Sequence, residues 1–160
     1  MQVQEIMSSP AITVGPATKI SEIARVMREQ QISGVPVVDA QGQLLGLITE
    51  MNLIERSAPV REPRYLAVLA GLIPVNLAEY RDYKEQVRHV LATNAEELMT
   101  TEVHTVEPTA ILDDVMQIML DPATTSLPVV QAGKVIGIIT RTDLVRVIEK
   151  LEMALEHSTE

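Results

Sequence analysis

The chain has 160 residues, enough to bury the core of one compact domain, and 46% of them are hydrophobic, which argues against intrinsic disorder. With no Phe, no Trp and three Tyr, its core must be aliphatic, and it lacks the stacking platforms of single-stranded nucleic-acid binders. A net charge of −9 disfavours nucleic acid and anionic membranes as partners, and the absence of cysteine excludes disulfides, thiolate metal sites and cysteine nucleophiles.

The chain starts Met1-Gln-Val-Gln-Glu, without the basic and apolar regions of a secretory leader, and no apolar run reaches the length of a membrane span. A cytoplasmic protein is expected. Ile12–Val14 is a short extended piece, followed by Pro16 and an amphipathic helix. Two strands follow, VPVV at 35–38 and LLGLI at 44–48, joined as a hairpin by Asp39-Ala40-Gln41-Gly42. A helix then starts at Thr49. Residues 58–93 predict two helices packed on the rest. One covers 63–73 and is stopped by Pro74; the other covers 77–91 and is opened by Asn76, with Glu79 three positions on. On the second, Tyr80, Tyr83, Val87, Val90 and Leu91 share a face.

After a second extended piece at Val103–Val106, Leu112, Val115, Met116 and Met119 form one helical face, which ends by Asp121-Pro122. Met27, Met116 and Met119 read as core. Another strand pair leads to a last helix from Thr140. Over 141–155 it carries Leu144, Val147, Ile148, Leu151 and Leu155, more apolar length than one small sheet face needs, which predicts a homodimer.

The two halves are copies. A shift of 92 residues lays 5–38 over 97–130 with nine identities, among them Met7/Met99, Pro16/Pro108 and Pro36-Val-Val over Pro128-Val-Val. At a shift of 91, GLITEMNL (46–53) meets GIITRTDL (137–144). Each copy runs β-α-β-β-α. The division is a first repeat at 1–57, a helical insert at 58–93 and a second repeat at 94–160.

This unit, with its x-Pro-Val-Val strand and its Gly-h-h-Thr-x-x-Asp/Asn signature, resembles the CBS domain family, named after cystathionine beta-synthase. The paired form is called a Bateman module. The resemblance implies an α/β fold of two pseudo-symmetric repeats packed through their sheets. It also implies clefts between them for an adenosyl ligand (AMP, ADP, ATP or S-adenosylmethionine), and control of a partner protein, here in trans. No cofactor is required on this reading.

GIITRTD at 137–143 also has a physical reading of its own. Gly137 lets backbone approach a ligand, Thr140 opens a helix whose free amides suit a phosphate, and Asp143 can accept from both hydroxyls of a ribose. Arg141 is placed to meet phosphate; other candidate cations are Lys19 and the middle-segment Arg61 and Arg64. The competing reading of Thr140-Arg-Thr-Asp143 is a plain helix-capping box. Similarity to the family's kinase gamma subunits adds Ile138 and Thr142 from the second copy and Ile12, Ile32 and Ser33 from the first, around the base. The alternative for Ile12 and Ile32 is simple core packing. A second, weaker site then comprises Asn52, Thr49 and Met51, with His104, Thr124 and Thr125 across the cleft. It is expected to be weaker because Asn52 is neutral, and because Glu50 follows Thr49 and repels phosphate. His89, His104 and His157 have no metal-ligand spacing, so no metal is expected. No catalytic motif appears, and an enzyme is not expected. A ligand-free interaction or assembly module is the alternative function.

Overall fold

The computed structural model describes residues 1–68 and 71–157. The first repeat holds α1 (Ile20–Gln30), β1 (Gly34–Val38), β2 (Leu44–Thr49) and α2 (Glu50–Ser57). The insert follows with β3 (Tyr65–Val68), β4 (Gly71–Pro74) and α3 (Leu77–Leu91). The second repeat has α4 (Ala95–Leu98), α5 (Leu112–Met119), β5 (Ser126–Gln131), β6 (Lys134–Thr140) and α6 (Arg141–His157).

The β-α-β-β-α order is present in both copies, with the first β element reduced to a single bridge. Val14 pairs in parallel with Val37, and Val106 with Val129. In each hairpin the register slips at equivalent places, between Val37 and Val38 and between Val129 and Val130. The first turn is fixed by Asp39, whose Oδ1 accepts from Gln41 N and Gln43 N, both at 2.9 Å. The two hairpins meet at their turns, where Leu44 N donates to Gly133 O and Val135 N to Gly42 O.

Each repeat has its own aliphatic core, and each core borrows from the other copy. Val3, which precedes the first repeat's helix, packs in the second core beside Val115, Leu127 and Ile139. Its counterpart Ala95, together with Leu98, packs in the first core beside Ile23, Val35 and Ile48. The backbone follows the same exchange: Ser8 bridges to Ile138 and Thr100 to Leu47. The leading segments are thus traded between repeats, which ties the two sheets together. Met27 and Met119 are buried, and Met116 packs against the second core.

The expected helix over 63–73 is not formed. Residues 65–68 and 71–74 make an antiparallel hairpin, with Tyr65 opposite Pro74 and Val68 opposite Gly71; residues 69–70 of that expected helix lie outside the described residues. Two features favour the hairpin. Tyr, Val and Ile suit extended backbone, and Gly71 adopts φ 122, which side-chain-bearing residues avoid. Pro74, read from the sequence as a helix stop, instead ends a strand. The second insert helix is present as α3, with Asn76 Oδ1 accepting from Ala78 N. Its Glu79 lies 3.6 Å from Arg64. Tyr80, Tyr83, Val87 and Val90 are half-buried, but Leu91 is 71% exposed and falls off the expected face. α3 packs on α2, with Arg56 Nε donating to Ala92 O at 2.9 Å.

Candidate functional site

The signature glycines serve packing. A Cβ on Gly137 would lie 2.6 Å from Met7 Sδ and 3.0 Å from Ser8 O. One on Gly46 would lie 2.6 Å from Met99 Sδ and 2.8 Å from Thr100 O. The space kept open by Gly137 was expected to admit a ligand; the exchanged segment fills it.

At the start of α6, Thr140 N and Thr140 Oγ1 both donate to Asp143 Oδ2 at 2.8 Å, and Asp143 N lies 3.4 Å from Thr140 Oγ1. Arg146 Nη1 reaches the other oxygen, Oδ1, at 3.1 Å. Asp143 is 5% exposed and both of its oxygens are engaged, so the capping box is formed and the carboxylate is already satisfied. Arg141 N donates to Thr125 O. The Arg141 guanidinium donates to the carbonyls of Met119 and Asp121, which fastens the end of α5. Ile138 is buried, Thr142 is exposed and Ile12 is 38% exposed. Ile32 packs against the first core, and Ser33 Oγ lies 3.4 Å from Ser126 Oγ, across the two repeats.

The first copy repeats this geometry with different chemistry. Asn52 Oδ1 accepts from Thr49 N at 2.8 Å and from Thr49 Oγ1 at 3.2 Å. The position matching Arg146 is Glu55, which turns away toward His89, with 3.9 Å between its Oε2 and Nδ1 of the imidazole. No ion pair closes over Asn52 among the described residues. In front of it lies a cavity of about 530 Å³. Its lining includes all six residues of the site expected to be weaker, namely Thr49, Met51, Asn52, His104, Thr124 and Thr125. Thr49, Met51 and Asn52 come from the turn into α2. Thr100, Glu102, Val103 and His104 come from the exchanged segment and the stretch after it, and Asp121 to Ser126 from the link between α5 and β5 and the start of β5.

The contributors to this wall that the sequence reading missed include His89, Glu55, Glu102 and Asp121. His89 sits in the insert, outside the repeat, so no internal alignment marks it. The repeat alignment did hold the signal for Glu55, since it sets that glutamate opposite Arg146. No group of three or more His, Cys, Asp or Glu side chains suited to a metal ion occurs among the described residues. No helix among them is long and apolar enough to cross a membrane.

An α/β chain of two β-α-β-β-α repeats, with a cleft where the motif of one faces the other, defines a class of paired-repeat proteins. The CBS domain model matches residues 3–59 and 95–150. The chain belongs to the CBS domain family and carries two copies in tandem, a Bateman module. It is 29% identical over 154 residues to the protein MJ1426 of Methanocaldococcus jannaschii, covering 92% of this chain and 91% of that one. Relatives differ in length: the chain spans only 62% of the chloroplastic CBSX2 of Arabidopsis thaliana, at 24% identity. Among solved structures it resembles CBSX2 in complex with AMP, with TM-score 0.76 and 23% identity over 93% of this chain and 97% of that one. It also resembles the CBS domain pair of MJ0100 in complex with 5′-methylthioadenosine and S-adenosyl-L-methionine, with TM-score 0.67 and 25% identity over 92% and 99% of the two chains.

Proposed function

We propose that this protein is a regulatory sensor that binds an adenosyl ligand in the cleft at Asn52 and reports its occupancy to a partner protein in trans. One observation carries the reading: the cavity of about 530 Å³ is lined by all six residues of one candidate site. The half-exposed helix start at Thr49, the imidazole of His104 and the hydroxyls of Thr124 and Thr125 offer donors and acceptors to a base and a ribose. The complexes formed by CBSX2 and by the MJ0100 pair support an adenosyl ligand. The clefts are unequal on this reading too, but in the reverse order. The Asp143 cleft, with Ile138, Thr140, Thr142, Ile12, Ile32 and Ser33, is the secondary site, because Arg146 must leave Asp143 Oδ1 before a ribose can use it.

The mechanism is a population shift. Residues from both repeats wall the cavity, so a ligand stabilises the relative pose of the repeats that it fits best. A partner then reads that pose. A thermal-shift panel of AMP, ADP, ATP, S-adenosylmethionine and NAD tests the reading. A ligand that binds only the native state raises its melting temperature, by about 2.7 kcal/mol of added stability at a hundred times its Kd. No shift with any of them overturns it in favour of a ligand-free assembly module.

A homodimer is part of the same proposal. On α6, Leu144 and Val147 are buried, but Ile148 and Leu151 remain 44% and 46% exposed, and Val145 and Met153 add apolar surface. A strip of this kind is normally covered by a partner. A monomeric mass in light scattering at high micromolar concentration overturns this part.

A further inference from the structure

The cleft at Asn52 has a charge that selects within the adenosyl class. Glu50, Glu55, Glu102 and Asp121 all line it, against the imidazoles of His89 and His104, and neither lysine nor arginine stands among the described lining residues. The nearby arginines are committed elsewhere. Arg56 donates to Ala92 O, and Arg141 to the carbonyls of Met119 and Asp121. Two of the amides that usually cradle a phosphate at a helix start are also in use. Glu50 N donates to Ser33 O, and Asn52 N is capped by the Thr49 side chain.

A second, smaller cavity of about 260 Å³ shares Glu55 and His89 with the cleft and is otherwise lined by residues that include Asp82, Glu85 and Gln86. Gln86 Oε1 there is a buried acceptor without a hydrogen-bond partner among the described residues. A phosphate monoester brings a charge of about −1.5 to −2 at neutral pH, and these acidic walls repel it. A sulfonium or ammonium group is attracted, and an ammonium also supplies the donor that Gln86 Oε1 lacks.

We propose that the Asn52 cleft takes a phosphate-free adenosyl compound with a positively charged 5′ substituent, which points past Glu55 and His89 toward Asp82, Glu85 and Gln86. The proposal rests on the adenosyl reading above, and it states that AMP, ADP and ATP are discriminated against by charge.

Calorimetric titration of the full chain with adenosine, S-adenosylmethionine, S-adenosylhomocysteine, AMP and ATP is the test. The expected order is S-adenosylmethionine first, then S-adenosylhomocysteine and adenosine, then AMP, with ATP last. The sulfonium charge alone is expected to separate the first two by about two- to fivefold, the size of one screened charge pair. Glu55→Gln and Glu102→Gln are each expected to narrow the gap between adenosine and AMP by about the same factor, and raising the salt concentration narrows it further. AMP or ATP binding as tightly as adenosine overturns the charge selection while leaving the adenosyl reading intact. S-adenosylmethionine binding no more tightly than adenosine overturns the positively charged substituent. Binding by none of the five overturns the adenosyl reading and this inference with it.

Discussion

The two helix starts, at Thr49 and at Thr140, are built on one plan and end in opposite electrostatic states. Each threonine donates its backbone N–H and its hydroxyl to the side chain three residues on. In the second copy that acceptor is Asp143, and one turn further Arg146 neutralises it at 3.1 Å. In the first copy both members differ: Asn52 needs no counter-charge, and Glu55 leans to His89, leaving an acid-lined cavity open. A duplicated unit can therefore keep its fold in both copies while two positions decide which copy is self-satisfied and which is left to a ligand. Capping, a local bond between backbone and side chain, tolerates either residue. The space above it does not.

The largest expected effect concerns the exchanged segments that hold the copies together. Leu98 is fully buried in the first core, whereas its counterpart Ile6 is only half-buried against the second. Leu98→Ala is expected to cost about 2–5 kcal/mol in denaturant unfolding, and Ile6→Ala about 1–2 kcal/mol. Equal losses would mean that the exchange is symmetric in energy as well as in topology.

Next in size are the signature glycines. Gly46→Ala and Gly137→Ala each push a Cβ into a methionine of the exchanged segment and are expected to cost about 1–3 kcal/mol. Gly46→Ala should cost more, because the carbonyl of Thr100 is closer to it than that of Ser8 is to Gly137. A Gly137→Ala protein with unchanged stability and weakened ligand binding would restore the ligand-facing role expected from the sequence.

Swapping chemistry between the clefts sharpens the comparison directly. Asn52→Asp places a buried carboxylate near Glu55 and is expected to lose about 1–2 kcal/mol of stability at neutral pH. Adding Glu55→Arg should recover most of that loss, because it rebuilds the arrangement of Asp143 with Arg146. A double-mutant cycle by chemical denaturation reads the coupling. A coupling near zero would show that the two clefts do not differ for the reason given.

The smallest effect is a pH dependence at the link into the second repeat. Glu97 Oε2 accepts from Thr93 N and Thr93 Oγ1, much as Glu5 accepts from Gln2 N in the first copy. The hydrogen bonds from Thr93, backbone first, hold the Glu97 carboxyl below the usual glutamate range. A lowered folded value means that the stabilisation is fully present above the ordinary glutamate pKa. It is lost as the pH falls through the lower folded value. Thermal melts between pH 6 and pH 3 should show wild type above Glu97→Gln at the upper end and the two converging at the acid end. A constant gap would assign the effect to packing.

Much of this molecule was legible in its sequence because much of it is local and repeated. The order β-α-β-β-α in each copy, the hairpin turn at Asp39, the α3 cap at Asn76 and the box at Thr140 and Asp143 all depend on residues a few positions apart. The repeat also grouped Thr49, Met51 and Asn52 with His104, Thr124 and Thr125, since the family's cleft draws on both copies. The insert hairpin was misread because an unbroken apolar run gives no period that separates strand from helix. There the decision fell to Gly71 and to pairing between residues up to nine apart. What only the tertiary structure decided was long-range. It placed Met7 and Met99 over the glycines of the opposite repeat, and His89 from a non-repeating helix at the mouth of the cleft. None of these contacts leaves a periodic trace, because each joins side chains whose meeting depends on how whole elements pack.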